Sequence, residues 1–214
     1  MSSRLKTVIE LLHMSGDIGL ATHSTTLTGY PFATSVNYAV DERHRPLMLM
    51  SRLAEHTQNV LANPKTSLVV ARSLGDGEIA RASFVGNVTQ IEANPQLTSR
   101  YLRFNPAAER FLQLGDFHFY RFEPLRIRVV GGFSQAGWLD GKQLLDAPHI
   151  VLADEKRLLA GAQSTCPDGV TLLGVDAYGV DYVRDGIRGR TVFKGGPFLA
   201  DAAEATLARL LQDL

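Results

Sequence analysis

Residues 31–71 read PFATSVNYAVDERHRPLMLMSRLAEHTQNVLANPKTSLVVA. Alternation in FATSVNYAV puts Phe32, Thr34, Val36 and Tyr38 on one face and Ala33, Ser35, Asn37 and Ala39 on the other, the period-two signature of a half-buried strand. DERHRP, residues 41–46, reads as a charged hairpin turn, and LMLMS, 47–51, as the returning strand. LAEHTQNVLA, 53–62, predicts a helix that Asn63-Pro64 ends, because proline pushes its predecessor out of the helical region. TSLVVAR, 66–72, follows as a third strand. Ser51 stands where strand turns into helix, and backbone N–H groups with a hydroxyl at a helix start suit an anion such as a phosphate. Arg52 and Thr57 would add donors, and Arg72 and Arg81 on neighbouring strands further charge. The small, polar face of Ala33, Ser35 and Asn37 is either the solvent side of a sheet or a floor for a flat ligand.

On the N-terminal side, Leu5, Val8, Ile9 and Leu12 recur at helical spacing, with Ser2 or Ser3 as cap and Gly16 as stop. A strand is expected over 17–23 and a turn over 24–31. Downstream, a strand over 66–72 closes with the loop SLGDGE, and a long strand over 79–92 contains Gly86, a bulge or a closely packed site. Helix is expected over 95–114, broken at Asn105-Pro106, then two strands over 117–123 and 126–133 that meet at Pro124. Turn signals recur every ten or so residues, the pattern of an antiparallel barrel or sandwich with helices across its ends. After Trp138 the pattern is mixed and weakly periodic. Three short strands with turns at Asp176–Gly179 and Asp185-Gly186 follow, and an Ala-rich helix closes the chain. The fold class expected is mainly β with helices (α+β): a barrel domain over 1–139 and a small α+β domain over 140–214.

The chain has 214 residues, 45% of them hydrophobic, enough for a sizeable core. Lys+Arg and Asp+Glu number 22 each, a balance that favours neither nucleic acid nor an anionic membrane. A single cysteine, Cys166, forbids an intrachain disulfide and fits a cytoplasmic protein. The N-terminus lacks the continuous apolar core of a signal peptide, and no apolar run approaches a membrane span.

Six histidines, His13, His23, His44, His56, His118 and His149, stand apart from one another and from Cys166 at spacings foreign to zinc sites, so no metal is expected. There is no nucleophile elbow, Walker A or dinucleotide glycine motif. Gly131-Gly132 and Gly195-Gly196 read as turn or bulge signals, Cys166 as an inert thiol, and no acid, base or nucleophile stands out as catalytic.

The run PFATSVNYA…PLMLMSRLAEHTQNVLANPKTSLVVA resembles the FMN-binding split-barrel superfamily of pyridoxamine 5′-phosphate oxidase. It is most similar to the branch that includes haem-utilisation proteins. The carrying residues are Ser51, Leu53-Ala54, His56-Thr57, Asn59, Asn63-Pro64 and Ser67-Leu68, joined by FYRFEPLRIRVVGGFSQAGW at 119–138. GVDAYGVDYVRDG is similar to the small domain that follows in that branch. The resemblance implies a six-stranded split barrel, a homodimer, and a flavin groove at the dimer interface. It implies that FMN rests its ring along Ala33, Thr34, Ser35, Val36 and Asn37 and its phosphate near Met50, Ser51 and Leu53, where Arg52, Thr57 or Arg81 would supply the donors. Leu53-Ala54 stand where the oxidase carries an Arg-Lys pair, and no Arg-x-His motif follows Trp138, so pyridoxamine-phosphate oxidase activity is not expected. The leading expectation is a cytoplasmic FMN-binding protein, a flavin-dependent oxidoreductase of unstated substrate. A haem-binding or haem-utilisation protein on the same scaffold, with His149 or another lone histidine as axial ligand, is the alternative; a non-catalytic dimeric relative is the third. Neither nucleic acid nor membrane is an expected partner.

Overall fold

A computed structural model describes residues 2–75, 78–131 and 136–211. Asp76 and Gly77 of the SLGDGE loop, Gly132 and Phe133 of the strand expected over 126–133, and the last three residues of the closing helix lie outside the described residues. Helix α1 (Ser3–Met14) starts where the Ser2 hydroxyl accepts from the Leu5 N–H at 3.3 Å, an N-cap that satisfies one of the free donors at a helix start. Its buried face carries Leu5, Val8, Ile9 and Leu12 as the spacing predicts, and also His13.

Strands β1 (Asp17–His23), β2 (Pro31–Val40) and β3 (Pro46–Ser51), helix α2 (Glu55–Ala62), and strands β4 (Lys65–Gly75) and β5 (Glu78–Ile91) follow. Next come α3 (Pro95–Phe104), a 3-10 turn, the short α4 (Glu109–Leu112), and β6 (Phe117–Gly131). The strands pair antiparallel in the order β3-β2-β1-β4-β5-β6, and β6 returns to pair with β3. This closes a six-stranded barrel and leaves none of those six strands as a free edge over its paired length. Strand β7 (Ala136–Asp140) adds to the outside of β6.

Two expected boundaries move. Helix α2 begins at Glu55 rather than Leu53, because Ser51–Ala54 form a turn in which the Ala54 N–H donates to the Ser51 carbonyl. The two strands expected about Pro124 are one continuous β6. Gly86 pairs with Pro124 and Val85 with Arg126, so Leu125 is the extra residue of a bulge, where proline's missing N–H leaves no gap in the ladder. Gly86 is obligatory there, since a Cβ would lie 2.1 Å from the Glu123 carbonyl oxygen.

Helices α5 (Gly141–Leu145) and α6 (Leu152–Ala162) occupy the weakly periodic stretch, and a 3-10 turn leads to β8 (Val170–Asp176), β9 (Gly179–Arg184) and β10 (Ile187–Val192). These three strands form a separate antiparallel sheet in the order β10-β9-β8, and α7 (Ala200–Leu210) follows. One hydrophobic cluster runs from Val8, Ile9 and Leu12 of α1 through Tyr38, Met48 and Phe84 of the barrel to Val175, Val180 and Leu207 of the C-terminal part. A second, smaller one sets Leu97, Tyr101 and Phe104 of α3 against Ala39, Leu47 and Phe119 on the outside of the barrel. Ala39 is therefore buried, unlike the other small residues of its face. Among the described residues, no helix is long and apolar enough to cross a membrane.

Candidate functional site

The predicted site residues fall into three places. On β2, Ala33, Ser35 and Asn37 face outward and are exposed, while Thr34 is half-buried and Val36 turns into the core. Register explains why this face is shallow. Ala33 lies opposite Ala21, Ser35 opposite Gly19 and Asn37 opposite Asp17. The row through Ser35 continues over Gly19, Val69, Ser83 and Arg128 to Trp138. Small side chains thus share a broad outer face with the exposed apolar Val69 and Trp138, 43% and 49% exposed, and with Arg128, whose guanidinium lies over the Trp138 ring. Ser35 Oγ donates to Asp17 at 2.6 Å.

The strand–helix junction is the second place. Ser51 Oγ donates to the Asp116 carboxylate at 2.5 Å and accepts from the Leu53 N–H at 3.1 Å, and the Arg52 N–H donates to the Asp116 carbonyl at 2.7 Å. The hydroxyl is therefore already satisfied, by an anion. Arg52 and Leu53 are exposed, Leu53 at 83%. Met50 is buried opposite His118. Thr57 is fully buried, and its hydroxyl meets no partner among the described residues. Gln58 reaches back to the Arg52 carbonyl. Asn59, part of the quoted motif, is a clip. Its side-chain oxygen accepts from the N–H and hydroxyl of Thr25, both at 2.8 Å, and its amide donates to Thr22 Oγ1 at 3.0 Å. It fastens α2 to β1 and to the loop after it.

Arg81 is the third place. It is exposed on β5 opposite Val130, at the other end of β6 from Phe117, the partner of Ser51. Within one chain the β2 face and the junction lie on adjoining strands, but Arg81 is not brought to the junction.

Two features were not singled out by sequence. A groove of about 500 Å³ runs over the outer face, lined by Ala21 and His23 of β1, Pro31 of β2, Lys65 and Ser67 of β4, Val85 of β5 and Leu125 at the bulge. Its size falls within the range of small-molecule and cofactor sites. It adjoins the β2 floor through the Ala21–Ala33 pair.

The other is a buried polar cluster. His13 Nδ1 lies 2.7 Å from Asp181 Oδ2, and its Nε2 lies 3.0 Å from His44 Nδ1 and 3.3 Å from Asp176 Oδ2. Arg190 reaches Asp176 at 2.8 Å and Asp181 at 3.0 Å. His44 is held in the left-handed region, φ 61°, at the β2–β3 turn. Burial pushes its imidazole down to about 3, so it is neutral at ordinary pH. Burial alone would raise both carboxyls, but Arg190 and His13 beside them more than offset it, and Asp176 and Asp181 titrate below the usual carboxylate range. His13, His44 and Asp176 present potential ligand atoms within 4.8 Å of one another. Arg190 already supplies a cation to both carboxylates, however, and the group serves as a clamp between α1, the β2–β3 turn and the C-terminal sheet.

Residues 6–145 match the family model "CREG, beta-barrel". Over 119 residues the chain is 37% identical to the chloroplastic heme oxygenase HOZ of Arabidopsis thaliana, covering 55% of this chain and 37% of that protein. Over 127 residues it is 26% identical to heme oxygenase HutZ of Vibrio cholerae, covering 54% of this chain and 72% of that one. The chain thus spans little more than a third of the plant relative's length. Two solved structures share the fold across nearly the whole chain. A protein of unknown function from Agrobacterium tumefaciens superposes with TM-score 0.72 at 21% identity, covering 96% of this chain and 94% of that one. A heme-binding protein from Mycobacterium smegmatis does so with TM-score 0.65 at 22% identity, covering 100% and 99%. The split-barrel, pyridoxamine-phosphate-oxidase-like fold implied by the sequence is the fold of this chain.

Proposed function

The chain belongs to the CREG β-barrel family, and from that premise we propose that it is a haem-binding protein that holds haem on the outer face of its barrel. The observation that carries this reading is the 37% identity over 119 residues to a heme oxygenase, with a second heme oxygenase among its relatives. The structure is compatible with it: the groove is bordered by exposed apolar side chains, Val85 and Leu125, and has a histidine at its rim. Bound haem would supply an iron centre for oxygen or electron chemistry. The chain would supply an apolar seat and charged groups at its edge, in a cytoplasmic setting that the lone Cys166 suits.

We further propose that the chain works as a homodimer. The row from Ser35 to Trp138 carries the exposed apolar side chains Val69 and Trp138 between small residues, the kind of patch that a second copy covers. The groove lies at the margin of that row, so a dimer would leave it at or beside the interface.

FMN is the second reading, favoured by the small outward face of Ala33, Ser35 and Asn37, on which a flat ring could lie. The junction speaks against it: Asp116 places a carboxylate on Ser51 Oγ, where a phosphate would be repelled. Titrating the purified protein with haem and, separately, with FMN decides between them. A saturable Soret band at one haem per protomer is expected, with no flavin retained. Stoichiometric FMN binding without a haem spectrum would replace the first reading by the second, and silence toward both would leave a non-catalytic dimeric relative.

A further inference from the structure

We infer that His23 is the axial iron ligand of the proposed haem and that Lys65 pairs with one of its propionates, in the groove between β1, β4 and the bulge of β6. This rests on the haem reading above and gives it an address.

A histidine that serves as axial ligand needs a free ring nitrogen at an accessible surface beside the macrocycle. Of the six histidines, the five other than His23 are not among the residues that line the groove. His13 and His44 are fully buried and bonded to Asp181 and to each other. His118 has its Nε2 buried. His149, whose Nδ1 lies 3.3 Å from the Ala147 carbonyl oxygen and whose Nε2 meets no partner among the described residues, and His56, half-buried on α2, both lie outside the groove. His23 is exposed at the end of β1, forms no hydrogen bond with any described residue, and lines the groove.

The surroundings suit a macrocycle. Ala21, Ser67 and Gly86 make a shallow floor. Val85 and Leu125, 47% and 58% exposed, are apolar side chains with no cover of their own. Leu125 projects there because the bulge removes it from the pairing register. Apolar walls at this exposure gain from burial against a porphyrin face. Lys65 lines the same groove, is exposed, and has no acidic partner among the described residues. A free ammonium at the rim of an apolar groove is the group that a propionate would find.

The test is haem titration of the full chain, followed by absorbance and resonance Raman, on wild type and on H23A, H149A and K65E. Wild type should give a histidine-ligated spectrum. H23A should lose that ligation and bind haem about tenfold or more weakly, and added imidazole should restore the ligated spectrum, which a folding defect would not allow. H149A should match wild type, and K65E should bind several-fold more weakly without a change in ligation. If wild type is histidine-ligated and H23A is indistinguishable from it, the assignment of His23 is overturned while the haem reading stands. If wild type shows no Soret change at all, the haem reading falls and takes this inference with it.

Discussion

His13 Nδ1 and Asp181 Oδ2 stand 2.7 Å apart across 168 residues of sequence, both fully buried. With Arg190 and Asp176 they pin the C-terminal sheet to the first helix. Replacing Asp181 by asparagine would leave His13 and Arg190 facing one carboxylate in place of two. Removing one partner of a buried pair typically costs about 3–5 kcal/mol. D181N should lower the denaturant midpoint accordingly and expose the C-terminal sheet to limited proteolysis. D201N, which removes an exposed partner of Arg157, should leave the midpoint unchanged.

Acid should weaken the fold in two stages. His44 is buried and neutral, with its imidazole pushed down to about 3. The unfolded chain takes up that proton near pH 6.5, so the unfolded state binds more protons between about 6.5 and 3. Stability contributed by neutral His44 is present above that window and declines as pH falls through it, by up to about 1.4 kcal/mol per pH unit. Asp176 and Asp181, held low by Arg190 and His13, add a second loss only below the ordinary carboxylate range near 4. Denaturant melts from pH 7 to 4 should slope downward for wild type and run flatter for H44Q.

Ser51 serves the fold more than a ligand. S51A removes the bond to Asp116 and the acceptor for the Leu53 N–H, at a cost of about 1–3 kcal/mol. Haem affinity should not change, because the groove lies on other strands. A loss of haem binding with unchanged stability would return the site to the junction.

Val69 stands at the centre of the small-residue row, between Gly19 and Ser83. V69E places a charge on the face proposed for self-association. Light scattering should then show the 23.4 kDa monomer in place of the dimer. A wild-type chain that is itself monomeric at micromolar concentration would rule the dimer out.

The barrel was legible because its evidence is local. Alternation along residues 32–40, the Asn63-Pro64 stop and the Ser2 cap each act over a few residues, and each appears where its chemistry requires. Pro124 misled, since proline usually ends a strand; barrel pairing on both sides of β6 carries the chain through it with one bulged residue. The sites were harder. The sequence put Ser51 at the end of a strand and Thr57 in the helix that follows, but carried no sign that Asp116 would claim the one and the core the other. The histidine–aspartate clamp joins positions 13, 44, 176, 181 and 190, each unremarkable in its own neighbourhood. One clue existed: His13 falls on the apolar face of α1 beside Ile9 and Leu12, and a buried imidazole there needed a polar partner from elsewhere.

The clamp also sets an order on synthesis. Asp181 leaves the ribosome 168 residues after His13. Every strand of the barrel is available well before that moment, yet the imidazole on the first helix has no carboxylate partner until β8 and β9 emerge. Such distant pairings form late and slowly. The apolar face of α1 can pack on the barrel as soon as the barrel closes, but His13 at the edge of that face meets its carboxylate partners only when the final fifth of the chain folds.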